Sequence, residues 1–172
     1  LISPPGGGKG VTVLTYQVGD MISHPLHGAG VIADIEIQKI GGEEREYYVL
    51  KLPTSEMQVK IPKATSDIIG VRPIISPEEA ERVMLEIPNI EINMTQNWNK
   101  RYRENMVKIK SGDLLEVASV IKGLFMRDRE KGLSTGERKM LHSAKQILIS
   151  EIVLSMNASY DEIEARIELA MG

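Results

Sequence analysis

The hydrophobic period of this chain changes once, from about two residues to about 3.6, and the change falls at Pro73. Upstream, Val31, Ala33, Ile35 and Ile37 alternate with Ile32, Asp34, Glu36 and Gln38, which predicts a strand with one apolar and one mostly polar face. Gly41-Gly42 is a tight-turn signal. Return strands are expected through Tyr47 to Leu52 and Met57 to Ile61, with Pro53 and Pro62 punctuating their ends. Downstream of Pro73 the serines carry the punctuation. Ser76-Pro77-Glu78-Glu79, Ser134 to Glu137 and Ser159 to Glu162 each pair a capping hydroxyl with an acid three residues on, the signature of a helix start.

These signals predict an α+β chain of two modules. Residues 16–73 are expected to form a small antiparallel sheet or barrel of Tudor-like or SH3-like type, opened by Val18-Gly19-Asp20 and the His27-Gly28-Ala29-Gly30 loop. Residues 76–172 are expected to form an all-helical bundle of about five helices. A short helix should end near Leu85, a second should run from about Thr95 to Ile109, and a third carries Leu114, Val117, Ala118, Ile121, Leu124 and Phe125 at helical spacing before Gly132. The fourth carries Leu141, Ala144, Ile147, Leu148 and Ile152, and the last reaches Met171. Residues 1–15, with Pro4-Pro5-Gly6-Gly7-Gly8, show no apolar period and read as a flexible tail or foreign remnant.

Charge is segregated. The formal net charge is −3, yet residues 98–145 hold 12 Lys+Arg against 6 Asp+Glu, while 76–97 and 146–172 each hold 1 against 5. A solvated helix face is the ordinary meaning of such a run. Within it stands the single tryptophan, in Asn97-Trp98-Asn99-Lys100-Arg101-Tyr102-Arg103. A large flat apolar side chain beside phosphate-seeking charge is what a minor-groove wedge needs, although a lone Trp is also a common buried anchor. Tyr102 and Met106 fall on a core-side stripe, and Trp98, four residues earlier, could join that stripe or project past the helix end.

Other chemistry finds little support. The chain has no cysteine, so disulfides and thiolate sites are excluded. His24 and His27 lie in a loop with Pro25 and Gly28, and His142 is the one further imidazole; turn hydrogen bonding is the expected role and no metal is implied. Gly8-Lys9 lacks the hydroxyl and first glycine of a phosphate loop, and Glu43-Glu44 reads as a solvated hairpin tip. No cofactor and no enzyme activity are expected, no membrane span or signal peptide is visible, and a cytoplasmic protein is expected. An exposed strand bearing Gln58 and Lys60 could add to another protein's sheet.

Several separated motifs together resemble one family. Tyr16-Gln17-Val18-Gly19-Asp20, His24-Pro25-Leu26-His27-Gly28, Tyr48-Val49-Leu50-Lys51, Asn97 to Tyr102, and Arg127 to Ser134 with Glu137 to Leu141 are similar to the CarD/CdnL family of bacterial transcription regulators, over about 17–172. The resemblance implies a Tudor-like module that binds the β subunit of RNA polymerase and a helical module that contacts promoter DNA at the upstream edge of the bubble. It places the wedge on Trp98, backbone contacts on Lys100, Arg101 and Arg103, and a polymerase contact on Lys60. A second basic position of some members is Gln38 here, with Lys39 beside it. The same first module also resembles the polymerase-binding part of transcription-repair coupling helicases, but no ATPase motif follows. The competing reading is an adaptor whose helical module binds another protein rather than DNA.

Overall fold

The computed structural model describes residues 15–53 and 55–172. The tail reading and the rejected phosphate loop concern residues that, apart from the fifteenth, lie outside this range. The class is α+β, as expected: an antiparallel sheet is followed by helices. The strands are β1 (Met21–His24), β2 (Gly28–Ile40), β3 (Glu43–Lys51), β4 (Gln58–Pro62) and β5 (Arg72–Pro73), in the order β4-β3-β2-β1-β5. The short helix α1 (Ser66–Ile69) sits between β4 and β5. One face of the sheet buries Ile22, Ile32, Tyr48, Leu50 and Ile61 with Tyr16 and Val71. Tyr48 hydroxyl accepts from the Tyr16 backbone N–H at 3.0 Å, which holds Tyr16 over that core.

The simple alternation expected of β2 is broken in the middle. Ile32 pairs with Leu50, but Asp34 pairs with Val49, so Ala33 is an extra residue, a β-bulge. After it the parity inverts. Ile32 and Ile35 therefore face the same core although an odd number of bonds separates them, while Ala33 is exposed and Ile37, on the face of Ile35, is solvent-exposed as well. The expected apolar row Val31-Ala33-Ile35-Ile37 is replaced by Ile32 and Ile35, because cross-strand pairing with Tyr48 and Leu50 decides the face.

Five helices follow: α2 (Pro77–Glu86), α3 (Trp98–Lys110), α4 (Leu114–Lys131), α5 (Thr135–Met156) and α6 (Tyr160–Ala170). Ser76, Asn97, Asp113, Ser134 and Ser159 cap them, each side chain accepting a backbone N–H of the first turn. Each such cap stabilises its helix by about 1 kcal/mol. Val117, Ala118, Ile121 and Leu124 of α4 meet Ala144, Ile147, Leu148 and Ile152 of α5 in one core, with Ile163 and Ile167 of α6. The Lys122 ammonium is buried there, donating to the carbonyls of Ile87, Pro88 and Ile90 at 2.8, 3.0 and 2.9 Å.

The sheet is joined to the helices by specific contacts. Arg72 of β5 makes a two-pronged ion pair to Glu151 of α5, at 2.7 and 2.9 Å, and donates to the Gly112 carbonyl at 2.9 Å. The fully buried Glu151 also accepts from Ile75 N–H, and Ser155 hydroxyl donates to the Ile75 carbonyl. At the other end Ser150 hydroxyl accepts from Ala29 N–H at 2.9 Å. Gly28 has φ +89°, and a Cβ there would lie 2.5 Å from Ser150 Oγ, so only glycine lets β2 come this close to α5.

Candidate nucleic-acid interface

Trp98 opens α3 directly after its cap, Asn97, whose side chain accepts from Lys100 N–H at 3.0 Å. The helix begins with the indole at its rim. One ring face stacks on Tyr102, with centroids 5.2 Å apart and planes 20° from parallel, the contact that an i, i+4 aromatic pair can make. The indole N–H donates to Ser134 hydroxyl at 3.3 Å. Gly136 passes beneath, where a Cβ would touch both Trp98 and Tyr102 at 3.6 and 3.9 Å. Even so the Trp98 residue remains 43% exposed. The two placements open to it from spacing are combined: it leans on the Tyr102 stripe and still faces solvent.

The cations around it divide. Lys100 and Arg103 are exposed on α3. Arg101 is not: it is 2% exposed, so the expectation that it shares their phosphate-facing surface is corrected. Its Nε donates to Glu137 at 3.2 Å and its Nη1 donates to the carbonyls of Thr95 and Gln96 at 3.2 and 3.0 Å. The reason is helical spacing. Arg101 shares its face with the buried Asn105, turned toward the buried start of α5, whereas Lys100 and Arg103 point away. Arg127 of α4 lies 3.6 Å from the same Glu137 carboxylate, so two guanidinium groups flank one acid. Burial acts to raise the Glu137 pKa, but the Arg101 hydrogen bond, both positive charges and the Ser134 hydroxyl outweigh it and hold the carboxyl below its ordinary value.

Sequence reasoning missed Ser134, Gly136 and Glu137 as parts of this site, because their capping-box pattern explains them locally without reference to Trp98. Lys139, one turn into α5, lines a groove of about 220 Å³ with Tyr102, Met106 and Gly136. The positive ends of α3 and α5 thus meet at one indole, which favours anionic groups nearby.

On the sheet, Lys60 stands on β4, which among the described residues is paired on one side only, and makes a 2.9 Å ion pair with Glu36. Register places Gln38 on the same face as Lys60 and Lys39 on the opposite one. His24 Nδ1 accepts from Leu26 N–H at 3.0 Å, a turn bond, and its ring lies 4.7 Å from that of His27. Burial first, then the neighbouring His27, lowers the His24 pKa to about 4. Among the described residues no group of three or more His, Cys, Asp or Glu is placed to hold a metal ion, and no helix is long and apolar enough to cross a membrane.

Comparison with known proteins agrees with both halves of this description. Residues 16–75 match the family model "CarD-like/TRCF RID domain" and residues 82–168 match "CarD, C-terminal domain". The chain belongs to the CarD family, whose members are transcription regulators, and its sheet is the Tudor-like module of that family. It is 33% identical, over 150 residues covering 87% of this chain and 98% of the other, to the "Putative transcription factor YdeB" of Bacillus subtilis (strain 168).

Proposed function

We propose that this protein binds the β subunit of RNA polymerase through the sheet module, residues 16–73, and stabilises the open promoter complex through the helical module, residues 76–172. In this reading Trp98 enters the duplex at the upstream edge of the bubble while Lys100 and Arg103 hold flanking phosphates. The observation that carries it is the half-exposed indole, braced from below and set beside exposed cations where two helix N-termini meet. Arg101 contributes by holding the helix ends together rather than by touching DNA. On the sheet, β4 offers an edge unpaired among the described residues, to which a strand of the polymerase can add, with Lys60 and Gln38 on one flanking face and Lys39 on the other. The Lys60–Glu36 pair is exposed and contributes at most about 1 kcal/mol, so Lys60 is free to exchange partners.

A net charge of −3 is compatible with this role. Once the sheet module is anchored on polymerase, the DNA contact is effectively intramolecular and needs little affinity of its own. Unstacking a base step costs a few kcal/mol, so the indole binds best where strands are already parted. That differential affinity shifts the closed-to-open equilibrium, about tenfold for each 1.4 kcal/mol. No cofactor or chemical step is required. The test is Trp98→Ala: open-complex lifetime should shorten about tenfold or more while capture by polymerase is unchanged. An unaltered lifetime in a normally folded variant overturns the reading.

A further inference from the structure

The Ser134 hydroxyl sits at a crossing of three hydrogen bonds. It accepts the Glu137 N–H at 3.2 Å as the cap of α5, donates to Glu137 Oε1 at 3.2 Å, and accepts the Trp98 indole N–H at 3.3 Å. Glu137 is fixed in turn by Arg101 from α3 and Arg127 from the last turns of α4. A cap needs only the first of these bonds. The other two tie the rotation of the indole to a buried charge cluster that no capping requirement explains.

We propose that Ser134 and Glu137 are positioning residues for Trp98, fixing the plane in which the indole is presented to DNA. This rests on the DNA-contacting reading above and deepens it. The indole turns about two side-chain bonds. Stacking on Tyr102 restrains its tilt, but a stacked ring still slides and rotates within its own plane. The bond from its N–H to Ser134 removes that freedom, because it pins one edge of the ring to the cap of another helix. Glu137 keeps the hydroxyl oriented, accepting its proton so that the oxygen lone pairs face the indole and the cap N–H. Gly136 leaves room for the ring to lie flat against α5. A wedge must enter a base step in one orientation, so a ring prepared in that orientation binds without the entropy loss of ordering it on the DNA.

Two substitutions separate this role from capping. Glycine is a tolerated cap, only slightly weaker than serine, so Ser134→Gly keeps α5 and removes the indole's acceptor. Ser134→Thr keeps both. Because Trp98 is the single tryptophan, its emission reports the ring in the free protein without any label. In Ser134→Gly the time-resolved anisotropy of Trp98 should gain a fast component absent from wild type, open-complex lifetime should shorten several-fold, and polymerase capture should be unchanged. Ser134→Thr should restore slow anisotropy and lifetime together. Slow anisotropy in a folded Ser134→Gly protein overturns the proposal, as does a fast component with an unchanged lifetime. If Trp98→Ala itself leaves the lifetime unchanged, the DNA reading has failed instead, while the anisotropy result still decides whether Ser134 holds the ring.

Discussion

At the residue scale, burial separates side chains that look alike in sequence. Arg101 and Arg103 are two positions apart, yet one is enclosed with Glu137 and the other is solvated. Arg101→Met should therefore destabilise the fold by about 3 kcal/mol or more, because it strips a buried carboxylate of its nearest partner. Arg103→Gln should stay within about 0.5 kcal/mol. Urea unfolding of the two variants makes the comparison. His24 gives a pH prediction. The unfolded imidazole takes up its proton near 6.5 and the folded one only near 4, so the stability contributed by neutral His24 is complete above 6.5 and lost as pH falls toward 4. At most about 3 kcal/mol is involved. His24→Asn keeps an acceptor for the Leu26 turn and removes the titration, so its stability should be flatter across that window.

At the scale of elements, whatever depends on near neighbours in sequence is legible. The capping boxes at Ser76, Ser134 and Ser159 start helices where expected, and the stripe on α4 faces the core, because both follow from spacing within one helix. The bulge at Ala33 is not legible, since it is defined by which residue of β3 stands opposite. Nor is the enclosure of Arg101, which depends on where α4 and α5 pack. Trp98 lies between these cases: its place at the start of a helix among cations is readable, its anchor on Ser134 is not. Two predictions belong here. Lys60→Glu on the free edge of β4 should abolish capture by polymerase β-subunit fragments in a pull-down. Neutralising Lys100 and Arg103 together to Gln should lower the slope of log affinity against log salt for promoter DNA by about two, one for each phosphate contact. The adaptor reading expects no change in that slope.

For the whole molecule, the decisive contacts are those between sheet and helices. Arg72, Ile75 and Ala29 are held by Glu151, Ser155 and Ser150, all on one helix, α5, whose first residues also carry the Trp98 site. Glu151→Ala leaves the partly buried Arg72 without its carboxylate and frees the Ile75 N–H. A loss of about 3 kcal/mol is expected, with one calorimetric unfolding transition becoming two as sheet and helices melt separately. A single transition shifted to lower temperature would mean that the apolar contacts alone couple the two parts.

Because Ala33 is one residue beyond what its partner strand requires, losing it would restore an even alternation along β2 while every pair from Asp34–Val49 to Ile40–Glu43 kept its partner and its face. Gln38 would still stand on the face of Lys60 and Lys39 on the other, with Ile32, Leu50 and the enclosed half of the sheet untouched. A single-codon deletion would thus straighten the hairpin and re-aim its tip without exchanging the charges on either side, so the extra alanine governs direction and leaves the pattern of side chains alone.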